Sequence, residues 1–421
     1  MGFACLFVHE EDNIVQELLT NMNEKLKSNG YTNRKLAKRF DVTHTTVNGY
    51  FSAKGEFDFM HFVVTLRLYK PNDVEFRRKW IKKIIPHLSH KNLKLALEVL
   101  DMFGEYELQK LVIEQIMSFN TNKDAKEKKN ENTKKEKKKG NSKTVRINLN
   151  LIPLYKTLRV RSENTITPKM YFEKIDKMRK KQKYTDDELV IILVLNTIYS
   201  FFDLGNYKMV NEYIEQLLPD ILKIKCHTLR ASLLLRVKEM QIFVALHEGN
   251  VERARELCFE IINDETNCYV STKSVAYCKI GESFIFSDFQ RAKDYMEKSL
   301  AVIGNPVNRK LEIRREKVLN TLLFLKIYHE KDLHSINLEE LDEAEKAFLF
   351  VRLGENEKAI KILRNLQNEN GYLSSFQLYY MGLAIGGDEG KRYLEMSVES
   401  FSKSGDFFYI HLPRTALKCY N

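Results

Sequence analysis

Along this chain apolar residues recur at three- and four-residue steps, the period of a helix with one buried face. Between residues 57 and 119 nothing alternates with period two for long enough to make a strand. Residues 33–51, NRKLAKRFDVTHTTVNGYF, read as two short helices around a tight turn. Leu36, Phe40, Val42, Val47, Tyr50 and Phe51 form the apolar face, while Arg34, Lys35, Lys38 and Arg39 stay in water. Ala37 falls where two crossing helices come closest, and Val47, ten residues on, supplies a β-branched plug. That spacing is the helix-turn-helix pattern. Asp41 takes the turn position where glycine is usual, and aspartate tolerates a left-handed backbone better than most residues. A further helix is predicted over 57–68. The next is capped by Pro71-Asn72-Asp73 and runs through Trp80, a packing anchor, to Ile85. Amphipathic segments follow at 91–103 and 105–119.

Residues 121–146 interrupt the pattern with Lys, Glu, Asn and small polar residues, too few of them apolar to bury a face. This reads as a flexible insertion, with auxiliary phosphate binding as the sharper alternative. Beyond it the chain becomes a series of helix pairs with recurring turn phrases: Leu204-Gly205-Asn206, Glu248-Gly249-Asn250, Phe286-Ser287-Asp288 and Leu353-Gly354-Glu355. The first two glycines lie 44 residues apart, near the spacing of helix-hairpin repeats. Ala254, Ala292 and Ala359 follow their turns where neighbouring helices must pack. The expected fold is all-α: an N-terminal helix-turn-helix domain (1–70), linking hairpins (71–120), the Lys-rich insertion (121–146), and a degenerate TPR-like right-handed superhelix (147–421) whose concave face suits an extended peptide.

A formal net charge of +11 and a pI near 9.1 favour an anionic partner. The second helix of the motif is the candidate reading head. Thr43 caps it, His44, Thr45, Thr46 and Asn48 project from it, Lys54 lies just beyond, and no acidic residue intervenes. With Lys35, Lys38 and Arg39 these are the candidate contacts to a double-stranded DNA operator. An ordinary helical hairpin would carry the same apolar spacing. The six cysteines show no metal-finger or CxxC spacing and read as reduced thiols. No run reaches the roughly 20 apolar residues of a membrane span, and the start lacks a signal peptide, so a soluble cytoplasmic protein is expected. HExxH, GxSxG and Gly-rich phosphate loops are absent, and GLAIGGDEGKR has Ile385 where a P-loop needs glycine. A binding protein without metal or cofactor, not an enzyme, is the expectation.

FFDLGNY (201–207), YCKIGESFIFSDFQRAKDYMEKSL (277–300) and FSKSGDFFYIHLP (401–413), in that order behind a helix-turn-helix, resemble the arbitrium peptide receptors (AimR) of temperate Bacillus phages. The resemblance implies a dimeric, DNA-binding transcriptional regulator of the lysis–lysogeny decision in the host cytoplasm. A re-imported peptide of about six residues would switch it off by shifting a population of conformations. It implies that Asp406 pairs with a peptide arginine, with Phe408 packing nearby. Family asparagines fall here on Phe243, His247 and Glu282, and a pocket arginine falls near Ser271 to Lys273. Glu316 and Asn320 are further candidates for the groove. These departures imply a different peptide, with a basic or apolar N-terminal half expected to suit Glu282 and Phe243. Only RTALKCYN follows Pro413, so a shorter or displaced dimer contact is expected. Two other classes fit the same architecture: a Rap-like regulator that binds a response regulator rather than DNA, and a helical-repeat scaffold.

Overall fold

The computed structural model describes residues 11–127, 138–181, 186–263 and 268–420, and every described element is helical. Four helices build the head: α1 (Glu11–Ser28), α2 (Asn33–Phe40), α3 (His44–Phe51) and α4 (Phe59–Tyr69). Thr32 caps α2 by accepting from the Lys35 N–H, and α2 ends at Asp41 in the left-handed region (φ 52°, ψ 49°). Thr43 caps α3 by accepting from the Thr46 N–H at 3.1 Å. Leu36 and Val47 are fully buried between the two helices, with Ala37 beside them. α1 was not among the elements expected from the sequence. It buries Val15, Leu18, Leu19, Met22 and Leu26 on one face and packs on α3 and α4.

The body follows as α5 (Val74–Ile84), α6 (His90–Phe103), α7 (Tyr106–Glu127), α8 (Lys138–Ser162) and α9 (Pro168–Lys181). Asp73 caps α5 and Trp80 is buried. Helical backbone enters the Lys-rich stretch from both sides, to Glu127 and from Lys138. Residues 128–137, where the core of the expected insertion falls, lie outside the described residues, as do the side chains of 120–145.

Hairpins then succeed one another: α10 (Asp187–Asp203) with α11 (Tyr207–Leu222), α12 (His227–His247) with α13 (Val251–Ile262), and α14 (Val270–Glu282) with α15 (Phe289–Ile303). After α16 (Arg309–Tyr328) come α17 (Glu343–Arg352) with α18 (Asn356–Asn370), α19 (Ser375–Ile385) with α20 (Gly387–Ser404), and α21 (His411–Leu417). The turn phrases do what their chemistry dictates. Gly205, Gly249 and Gly354 hold positive φ, while Asn206, Asn250 and Asp288 cap the helices that follow. The Gly-rich stretch near 382–392 is the α19–α20 crossing. A Cβ on Gly390 would sit 2.5 Å from the Gly382 carbonyl oxygen, so these glycines permit close backbone contact. One apolar cluster runs from Val15 in α1 to Val244 in α12 and takes in Cys268, and a second runs from Ala245 to Leu412.

Candidate functional site

Two features stand out: the exposed face of the head, and a cavity enclosed by the body. On the head, Lys35, Lys38, Thr43, His44, Thr45, Asn48 and Lys54 are exposed, and Arg39 and Thr46 are half-buried. Asn48 is held from both sides. Its Oδ1 accepts from Asn33 Nδ2 at 2.7 Å, and its Nδ2 lies 3.2 Å from His44 Nδ1. A polar side chain fixed in this way on α3 loses little rotamer freedom on meeting a partner.

The segment joining α3 to α4 is clamped by the body. Asn92 of α6 donates to Glu56 Oε1 (2.6 Å) and the Phe57 carbonyl (2.7 Å), and its Oδ1 accepts from the Phe59 N–H (3.0 Å). Asp58 caps α4 with one carboxylate oxygen and accepts the Thr228 hydroxyl with the other (3.1 Å). His227 Nε2 lies 3.4 Å from Asp41 Oδ2. The first turn of α12 therefore touches the helix-turn-helix at its turn.

A cavity of about 570 Å³ opens between α8, α10, α12, α14 and α16. That volume falls within the roughly 300–1,000 Å³ of ligand pockets. Its lining mixes aromatic and charged groups. Phe243 meets Phe202 edge-on, with Lys279 Nζ 4.2 Å from its ring centroid. Arg161 and Asp203 form a bidentate pair, both bonds at 2.7 Å. Arg314 donates to Glu239 at 3.3 Å. Arg236 donates to Glu98 (2.8 Å) and Asp101 (2.6 Å), all three side chains almost entirely buried. Glu282 accepts from the Tyr409 hydroxyl at 2.7 Å and pairs with Lys279. Burial pushes the Glu282 carboxyl up, but Lys279, His247 and the Tyr409 hydroxyl together hold it below the usual carboxylate range.

Among the described residues, Lys310 and Lys317 are the lysines whose pKa is lowered. Burial lowers each to about 8. Lys310 donates to the Asp101 and Met102 carbonyls at the carboxyl end of α6. Lys317 lines the cavity with an exposed side chain. Arg314 and Arg161 add to its repulsion, which Asp203 only partly offsets.

The expected ligand residues separate into three groups. Phe243, Glu282 and Asn320 line the cavity. Asp406 and His247 lie just behind its wall, buried and paired at 3.0 Å, with Tyr207 of the lining stacked on the imidazole at 3.8 Å. Phe408 is buried against Phe286 and Tyr409. Lys273 is buried in α14 outside the lining, while its neighbours Ser271 and Thr272 line it. Glu316 is exposed and pairs with Arg309 at 3.3 Å, away from the cavity. One expectation is corrected: Glu282 does not offer a free charge to a basic peptide, because Lys279 already neutralises it. Sequence reading missed Arg161, Asp203, Tyr207, Glu239, Arg314 and Lys317. The stripe Lys310, Arg314, Lys317 at i, i+4 and i+7 was legible. The Arg161–Asp203 pair, 42 residues apart, exists only once the hairpins stack.

Among the described residues no helix is long and apolar enough to cross a membrane, and no cluster of potential metal ligands occurs. The family model for AimR transcriptional regulator-like proteins matches residues 118–419. An uncharacterized Bacillus anthracis protein is 30% identical over 260 residues, covering 61% of this chain and 94% of its own length. The AimR transcriptional regulator of Bacillus phage SPbeta is 26% identical over 273 residues, 63% of this chain and 66% of that protein. Its phage phi3T counterpart is 27% identical over 250 residues, 56% and 61% respectively. The chain thus spans slightly less than two thirds of these two phage regulators. A solved phAimR–ligand structure shares the fold, with a TM-score of 0.65 at 21% identity over 87% of this chain and 98% of that one. A second, of SeMet-phAimR, aligns over 96% of this chain with a TM-score of 0.58. With a helix-turn-helix at its front and a charged cavity enclosed by its hairpins, this chain belongs to the AimR transcriptional regulator-like family.

Proposed function

We propose that this protein is a phage-encoded, DNA-binding transcriptional regulator of the lysis–lysogeny decision, acting as a homodimer in the bacterial cytoplasm and switched off by a short imported peptide. The peptide occupies the cavity between α8, α10, α12, α14 and α16, and the α3 face with Lys35, Lys38, Thr45 and Asn48 meets the operator. The observation that carries the reading is continuity. α12 touches the helix-turn-helix at its first turn and the His247–Asp406 pair at its last. A ligand acts through such a helix only if it binds the DNA-gripping and released arrangements with different affinity. The SPbeta and phi3T relatives are named as AimR regulators, which supports the regulatory role.

A gel shift with DNA from the protein's own locus tests it. The expected result is a specific band that weakens steeply with salt and disappears on adding the hexapeptide encoded beside the gene. A band that is absent at low salt, or that ignores every such peptide, overturns the reading.

A further inference from the structure

The loop between α11 and α12, residues 223–226, is pinned against the turn of the helix-turn-helix. Ile224 is buried, and its carbonyl accepts from Arg230 Nη1 at 2.9 Å. His227 and Thr228, which open α12, reach Asp41 and Asp58 at 3.4 and 3.1 Å. Between these anchors Lys225 is exposed. A cleft of about 230 Å³ lies between loop and turn, lined by Asp41 and Val42, by Lys225 and His227, and by Lys91 of α6. Its acidic groups are engaged: Asp41 by His227, Asp58 by Thr228 and the Met60 N–H, Glu56 by Asn92 and the Ser89 N–H. The lysines of the cleft, Lys91 and Lys225, have no hydrogen bond or ion pair for their ammonium groups among the described residues.

Resting on the DNA-binding reading above, we propose that the body itself grips the operator: Lys225 of the α11–α12 loop seats a backbone phosphate beside the turn that precedes α3. That turn stands at the N-terminal end of the reading helix, the end that meets base edges when such a helix enters a major groove, and phosphates line the groove's edge. Lys54 lies just past the last turn of α3, so a lysine stands at each end of the helix, one from the head and one from the body. A phosphate contact carries no sequence information; it releases counter-ions and fixes register. The loop opens α12, whose last turn holds the His247–Asp406 pair. A shift of α12 therefore withdraws the phosphate contact and the Thr228 clamp on Asp58 together.

Titrating the full chain onto a duplex from the protein's own locus, and onto a scrambled duplex of equal length, at a series of salt concentrations tests the assignment. Lys225→Gln is expected to flatten the plot of log affinity against log salt by about 0.9, the worth of one phosphate contact. Raising salt from about 50 to about 200 mM then costs the variant about threefold less affinity than it costs the parent. Both duplexes are expected to weaken by the same factor, because a phosphate is common to every sequence. Lys225→Arg is expected to keep the parental slope. Lys223→Gln makes the same charge change two residues away, on a lysine already held by Asp220 at 2.7 Å, and is expected to leave the slope unchanged. Melting temperatures of all three variants are expected to stay near that of the parent, since Lys225 and Lys223 are exposed. A parental slope in Lys225→Gln, or an equal flattening in Lys223→Gln, overturns the phosphate seat and leaves the DNA-binding reading standing. Failure of the parent to bind either duplex at low salt overturns both.

Discussion

Arg236 sits between Glu98 and Asp101 with its guanidinium fully enclosed, and Tyr155 and Ser232 complete the hydrogen bonds of Glu98 at 3.0 and 2.7 Å. Removing the cation strands two buried carboxylates. Arg236→Met is therefore expected to cost about 3–5 kcal/mol, read as a drop in the urea midpoint. Lys317 makes the opposite kind of prediction. Its pKa falls from 10.5 in the unfolded chain to about 8 in the folded one, so between those values the unfolded chain binds more protons. Stability therefore rises with pH across that window. Denaturation curves from pH 8 to 10.5 are expected to show the parent gaining on Lys317→Met, and parallel curves would contradict the shift. On the head, Asn48 is fixed by Asn33 and His44. Asn48→Ala is expected to lose about 1–3 kcal/mol of operator discrimination while non-specific binding at low salt persists, as competition gel shifts would show.

At the scale of elements, the turn chemistry was the legible part. Gly205-Asn206 and Gly249-Asn250 announce a left-handed C-cap followed by an N-cap, and the structure uses them so. Asp41 was readable for the same reason, since a short polar side chain can stabilise the left-handed turn it occupies. α1 was equally periodic through Val15, Leu18, Met22 and Leu26, but no motif drew attention to it. The cavity was half-visible. Phe243 and Glu282 were placed by likeness to a family, whereas the charge balance depends on which cation meets which carboxylate, and that is decided by hairpin stacking. The glycines of α19 and α20 mislead on composition alone. Their role is contact, so Gly382→Ala, whose new methyl would fall 2.7 Å from Leu394 Cγ and 2.9 Å from the Gly390 oxygen, is expected to destabilise by about 1–3 kcal/mol in the same urea assay.

For the whole molecule, α6 and α12 are the struts between head and cavity. α6 holds the head's connection through Asn92 at its first turn, and its last turn is capped by Lys310 and Asn308 from the α16 side. α12 has 21 residues and so spans roughly 30 Å. Arg236 ties the two struts together midway. Asn92→Ala removes three hydrogen bonds at the joint, and hydrogen exchange over residues 52–60 is expected to accelerate while the cavity helices keep their protection.

The closed pair of His247 and Asp406 also bears on how signalling dialects diverge. On the proposed function, the imidazole seated 3.0 Å from Asp406 occupies the place that a peptide guanidinium would take. Shortening that one imidazole to a small side chain would vacate the socket beneath Tyr207 and leave a buried carboxylate in want of a visitor. On that same reading, a change at this one codon would alter which peptide the protein answers.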